Sequence, residues 1–149
     1  MSEHRAHLKW SRNSEDFSYE TYDRIHQINF EGGQKLNGTS AKEFGGKPEF
    51  ANPEELLAAA AASCHMLTFL AICARKRIVV NSYEDHAVAF LSKNENGKLA
   101  VTKITLSPKI LFQDPSPEIS IIQKIHEKSH QECFIAQSLK CTVEIKEHK

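Results

Sequence analysis

The sequence predicts an α+β fold with mostly antiparallel sheets, and three observations carry that reading. Short runs of alternating apolar residues, bounded by turn residues, occupy both ends of the chain. Between them lies a long alanine-rich apolar segment that opens on Asn52-Pro53-Glu54-Glu55. A second helical pattern follows, with Ile119, Ile122 and Ile125 along one face. The order is strands, a long central helix, strands, a second helix and a last strand.

Each element has its own local reason. Residues 5–12 alternate loosely, and residues 19–30 carry Tyr22, Ile28 and Phe30 among polar neighbours, so both read as strand; Gly32-Gly33 then supplies a turn. Residues 37–51 hold Gly38, Gly45, Gly46 and Pro48 and read as a loop. Asn52 suits an N-cap, Pro53 the first helical position, and Glu55 stands three residues after the cap. The helix is expected to run to about Arg77, where a basic cluster suits its C-terminus. Residues 83–91 and 99–111 read as strands joined by a hairpin at 94–97. Residues 114–117 form a turn, Ser116 is placed to cap the second helix to about Glu132, residues 133–139 read as a short third helix, and residues 141–146 alternate as a last strand.

Composition bounds the function. The 149 residues suit one domain, 1–149, with a core of its own. Lys plus Arg and Asp plus Glu number 19 each, so no basic stripe points to nucleic acid. The first 20 residues are polar and lack the apolar core of a signal peptide. The longest apolar run is broken by Ser63, His65 and Thr68 and reads as a buried helix rather than a membrane span. A cytoplasmic chain with four reduced cysteines is the expectation.

The cysteines divide by surroundings. Cys73 and Cys141 read as packed core thiols. Cys64 follows Ala60, Ala61 and Ser63, small residues that let a ligand or backbone come close. Cys133 falls at a helix–helix junction, where backbone amides favour a thiolate. His65 and His130 raise a zinc reading with these two thiols. Adjacent residues on a straight helix diverge by roughly 100°, which sets Cys64 and His65 against sharing one ion; no metal is expected, and His130 is a neighbour that could tune Cys133.

The stretch "NPEELLAAAAASCHM" resembles the motif of the OsmC/Ohr family, the osmotically inducible and organic hydroperoxide resistance proteins, and "CFIAQSLKCTVEI" resembles its second cysteine segment. The resemblance implies that family's fold, an intertwined homodimer, and a thiol peroxidase acting on organic hydroperoxides without metal or haem. It implies Cys64 as the peroxidatic cysteine, Cys133 as the resolving one, Glu54 as the family's glutamate and Arg24, with Arg12 as runner-up, as its arginine. An external dithiol of lipoyl type is the implied reductant; nucleic acid and membrane are not among the implied partners. The chain departs from the family pattern at His65 and at Phe134, which stands where many members have proline after the second cysteine. The same fold would also serve as a non-catalytic redox-sensing or small-molecule-binding module.

The roles are chemically complementary. An ordinary thiol has a pKa of about 8.5 and only the thiolate attacks a peroxide. A guanidinium stabilises that anion at any relevant pH, and a carboxylate fixes the guanidinium by a bidentate pair. Ten residues separate Glu54 from Cys64, a rise of roughly 15 Å along one helix. Either the first turn bends away, or Glu54 serves the Cys64 of a second subunit, with the alanine run giving clearance for it. Met66, Leu67, Phe69 and Phe134 are the expected apolar approach to Cys64.

Overall fold

The computed structural model describes residues 1–146 and falls into two compact units, Met1–Leu56 and the chain from Leu57 onward. The first unit is an antiparallel meander of β1 (Ala6–Lys9), β2 (His26–Phe30) and β3 (Lys35–Gly38). Ile28 is its buried apolar residue and pairs with Leu8 on one side and Leu36 on the other. Gly33 turns β2 into β3 at φ 89°, a conformation that costs an L side chain energy, and donates its N–H to the Phe30 carbonyl.

Two sequence expectations change here. β3 begins in the stretch before the expected loop, and the strand expected over residues 19–30 shortens to β2. The Asp23 carboxylate accepts the Ile25 N–H at 2.9 Å, and Tyr22 donates its N–H to the Ser18 carbonyl at 3.0 Å. These local bonds take backbone groups that a ladder would need, so Arg24 precedes β2 rather than lying on it.

Helix α1 (Pro53–Arg75) opens on the expected capping box. Glu55 donates its N–H to Asn52 Oδ1 at 2.9 Å, and Asn52 donates its N–H to Glu55 Oε2 at 3.0 Å. Length and composition alone would let α1 cross a membrane, and 28% of its apolar window is buried within the chain. It is therefore buried along one stripe, Ala58, Ala61, His65, Phe69 and Cys73, at steps of three and four.

The second unit holds two sheets. β4 (Val80–Asp85) pairs antiparallel with β7 (Pro108–Phe112); β5 (Val88–Lys93) pairs antiparallel with β6 (Leu99–Leu106), and β8 (Thr142–Ile145) joins β6 in parallel. The sequence suggested two unbroken strands over 83–91 and 99–111. Each instead breaks and sends its halves to different sheets. Pro108 has no N–H to continue the ladder, and the Asp85 carboxylate accepts the Ser107 N–H at 2.6 Å, which holds one break against the other. Helix α2 (Ile119–Glu132) opens not on Ser116 but on Glu118, whose carbonyl accepts the N–H groups of Ile121 and Ile122.

Two apolar clusters sit along the α1 stripe. Ala58 and Ala61 pack on Ile104 and Leu106 of β6. Phe69 and Cys73 pack on Ile125 of α2, with Val80, Ile110 and Phe112 around them. Phe69 is fully buried. Its truncation, Phe69→Ala, should cost about 3–5 kcal/mol of stability, read as a lowered denaturant midpoint with unchanged slope.

Candidate functional site

Cys133 ends α2 and caps α3 (Phe134–Ser138), with its sulfur accepting the Ala136 N–H at 3.4 Å. It is 1% exposed. Cys64 is half-buried on α1, one position before the buried stripe. The two thiols are neighbours close enough to influence one another's ionisation. Burial pushes the Cys133 thiol above its ordinary range, and the neighbouring Cys64 thiol pushes the same way; the amides of Ala136 and Ile135 pull it down but do not prevail. The helix-start amides expected to favour a Cys133 thiolate are thus present and outweighed. Cys64 has more access to solvent than Cys133.

Cys73 is a core thiol, its pKa raised by burial. Cys141 is half-buried beside the cluster around Ile104 and Leu106. Of the expected apolar approach, Phe69 is core instead, while Leu67 and Phe134 are exposed, Phe134 to 82%.

The imidazoles form a second buried feature. His65 Nε2 and His126 Nδ1 are 3.0 Å apart, and the Phe69 ring centre is 4.5 Å from that of His126. Burial, together with the charges His126 and His130 would carry, lowers the His65 pKa to about 4, so this ring is neutral near pH 7. The sequence singled out His65 and His130 but passed over His126; its signal was the four-residue step from His126 to His130 on a helix face. Among the described residues no group of three or more His, Cys, Asp and Glu is arranged to hold a metal ion.

The first unit carries the other expected residues. Arg24 donates to the Tyr22 carbonyl at 2.9 Å and the Tyr19 carbonyl at 2.6 Å. Its guanidinium carbon stands 4.1 Å from the Tyr22 ring centre. Its Nε is buried without a hydrogen-bond partner among the described residues, as is Glu54 Oε2. No ion pair among the described residues joins Arg24 to Glu54. Arg12 is exposed and spends its Nη1 on the carbonyls of Ser14 and Glu15, so Arg24 is the stronger candidate. An apolar cleft of about 490 Å³ opens beside Arg24, walled by Trp10, Phe17, Tyr22, His26 and Pro53. The sequence did not reveal this cleft, because its aromatic wall comes from the turn at residues 10–22.

Residues 46–148 match the family described as OsmC-like protein. An OsmC-like protein of unknown function from Vibrio cholerae is 39% identical, with 99% of this chain and 100% of that chain covered and a TM-score of 0.95. An organic hydroperoxide resistance protein from Elizabethkingia anophelis shares the fold at 21% identity and TM-score 0.73, over 99% of this chain and 94% of that chain. The uncharacterized protein YmaD of Bacillus subtilis is 23% identical over 97% of this chain and 93% of its own length.

Two measurements check this geometry. Between an ordinary imidazole pKa of about 6.5 and about 4, the unfolded state binds a proton at His65 that the folded state refuses. Stability is then full above about pH 6.5 and falls by up to about 3 kcal/mol as the pH drops towards 4. Denaturant melts across that range should show the loss, and His65→Gln should flatten it. Gly45 has φ 79°, and a Cβ there would sit 2.8 Å from the Arg24 guanidinium carbon. Gly45→Ala should therefore cost about 1–2 kcal/mol and disturb the tyrosine signal in near-ultraviolet circular dichroism.

Proposed function

The chain belongs to the OsmC-like protein family, and on that premise we propose that it is a thiol-dependent peroxidase that reduces organic hydroperoxides to alcohols. The observation that carries the reading is the meeting of Cys64, half-buried, with Cys133, buried and protonated, across the junction of α1 with α2 and α3. The hydroperoxide resistance function named for the Elizabethkingia relative supports the substrate class. The match over 46–148 includes residues of both units, which supports one domain.

The chemistry balances in three steps. The Cys64 thiolate attacks the distal oxygen of ROOH; the O–O bond breaks, Cys64 becomes a sulfenic acid and the alkoxide leaves as ROH after taking a proton. Cys133 then attacks the Cys64 sulfur, the S–O bond breaks and water leaves. An external dithiol of lipoyl type reduces the disulfide by exchange. Arg24 supplies positive charge to the leaving oxygen, and Glu54 orients Arg24.

Glu54 and Cys64 stand ten residues apart on one unbroken helix, roughly 15 Å of rise. This supports supply of Glu54 and Arg24 in trans, within a homodimer. Ala59, Ser63, Leu67 and Ala71 form an exposed stripe at steps of four on α1, three of them small enough for close approach of a second helix and Leu67 apolar enough to pack on it. Three of the five consecutive alanines, Ala58, Ala61 and the partly buried Ala62, are spent on the chain's own cluster with β6 rather than on such clearance.

Mixing reduced protein with cumene hydroperoxide should consume two thiols per chain and form a Cys64–Cys133 disulfide, seen by intact mass. Cys64→Ser should abolish consumption and Cys133→Ser should trap the sulfenic acid or a higher oxide. Arg24→Lys and Glu54→Gln should each slow the reaction about 10²-fold. Oxidation no faster than that of a free thiol would remove the peroxidase reading.

A further inference from the structure

The apolar cleft beside Arg24 lies wholly within the first unit, and its walls have a definite chemistry. Leu8 of β1 pairs with Ile28 of β2, and Ile28 with Leu36 of β3. Strand alternation therefore puts His26 and Gly38 on that same face, two residues further along, and Trp10 follows β1 on the same side. Gly38 adds no side chain there, and the His26 ring lies over it: a Cβ at position 38 would stand 2.5 Å from His26 Nε2.

Three aromatic rings line this cleft in series. The Trp10 and Phe17 centres are 5.9 Å apart with planes inclined by 58°, and those of Phe17 and Tyr22 are 5.5 Å apart and inclined by 53°. These are the tilted contacts that aromatic quadrupoles favour. The Trp10 indole N–H donates to the Asp23 carbonyl at 2.7 Å, which fixes the plane of the indole. Rings serving only as a small core for residues 10–22 would bury one another, yet Trp10 is 41% exposed and Phe17 62%. Their surface is left open beside the cleft they line.

The same cleft holds an open acceptor and a cation. His26 Nδ1 lies 2.9 Å from the Arg24 carbonyl, which can only accept, so Nδ1 carries the hydrogen. In the neutral ring Nε2 then keeps its lone pair, and no group among the described residues donates to it. The Arg24 side chain lines the cleft beside it. An aliphatic ligand gains from such walls only by leaving water, whereas an arene also gains the tilted ring contacts. A hydroxyl or hydroperoxyl group next to the arene offers Nε2 the hydrogen it lacks. We propose that the cleft takes aromatic hydroperoxides, with the –OOH group one carbon from the ring, and that Trp10, Phe17 and His26 set this preference. This rests on the reading of Arg24 as the group that meets the hydroperoxide. A volume of about 490 Å³ is in the range of small-molecule pockets.

Trp10 is the chain's only tryptophan, so its fluorescence reports on this cleft alone. Reduced protein is titrated with cumyl alcohol, the product that cumene hydroperoxide leaves, and with its ring-hydrogenated counterpart, which has the same skeleton and hydroxyl. Cumyl alcohol should shift the emission saturably and bind about tenfold tighter than the saturated alcohol. Phe17→Leu keeps an apolar side chain and should cut that ratio to about threefold. His26→Phe keeps a ring and removes the lone pair; it should weaken cumyl alcohol roughly fivefold and leave cumene, which has no hydroxyl, unchanged. Equal binding of the two alcohols by the wild-type protein overturns the proposal, as does an emission that answers to neither. Emission that follows protein concentration and not alcohol places a second copy in the cleft and overturns it too. Should a variant lose its fold, the wild-type ratio decides. The titration needs no turnover, so the two readings separate. Preference for the aromatic alcohol without consumption of cumene hydroperoxide keeps the aromatic cleft and removes the peroxidase; equal consumption of cumene and tert-butyl hydroperoxides with no alcohol bound does the reverse.

Discussion

Burial of one stripe of α1 governs the arrangement of the second unit. Ala58 and Ala61 have no bulk, so the helix backbone sits close on β6, and Phe69 and Cys73 fill the space towards α2 and the β4–β7 pair. Between the two apolar clusters the stripe carries an imidazole instead of a hydrocarbon. A polar ring at that point is stable only with a partner across the seam, and His126 supplies it. Once His65 faces inward, helix geometry turns Cys64 to the edge of the seam, where solvent reaches it and Cys133 meets it. The alanines, the buried imidazole and the thiol are therefore one positional choice rather than three.

The electrostatics then separate two residues of the same chemical type. Cys133 sits on a helix start that would draw out its proton, yet burial and the facing sulfur hold the proton on. Cys64 lies nearer solvent with its backbone carbonyl bonded to the Thr68 hydroxyl at 2.8 Å. One thiol is accessible and the other reserved, which suits a couple that reacts in a fixed order.

Much of this was legible in the residues. The Asn52–Glu55 capping box, the turn at residues 94–97 and the short helix after Cys133 rest on local chemistry that a sequence displays, whereas Cys64 and Cys133 were set apart by the family resemblance more than by their neighbours. The strand breaks before Val88 and Pro108 were not, because continuous alternation looks the same whether a chain stays in one sheet or leaves it; the Asp85–Ser107 bond that marks the exchange is a tertiary contact. Arg24 was matched to the family's arginine by its place before a glycine turn, but its stacking on Tyr22 and the glycine at 45 that admits it depend on a loop closing over it. His126 escaped notice because its four-residue step to His130 does not say which of the two is buried; only the opposite helix shows His65 at the same height.

The parallel pairing of β8 with β6 has a further meaning for how the molecule is made. Parallel strands cannot be joined by a tight turn, and here the connection from β6 to β8 includes β7, α2 and α3. Contacts between distant segments form late, since the entropy of closing the intervening chain is lost before they are gained. Cys133 lies within that connection and Cys64 far ahead of it. The two sulfurs therefore come from segments far apart in the chain, and their meeting waits on the packing of α2 against α1. Any reaction that needs both sulfurs waits for that packing.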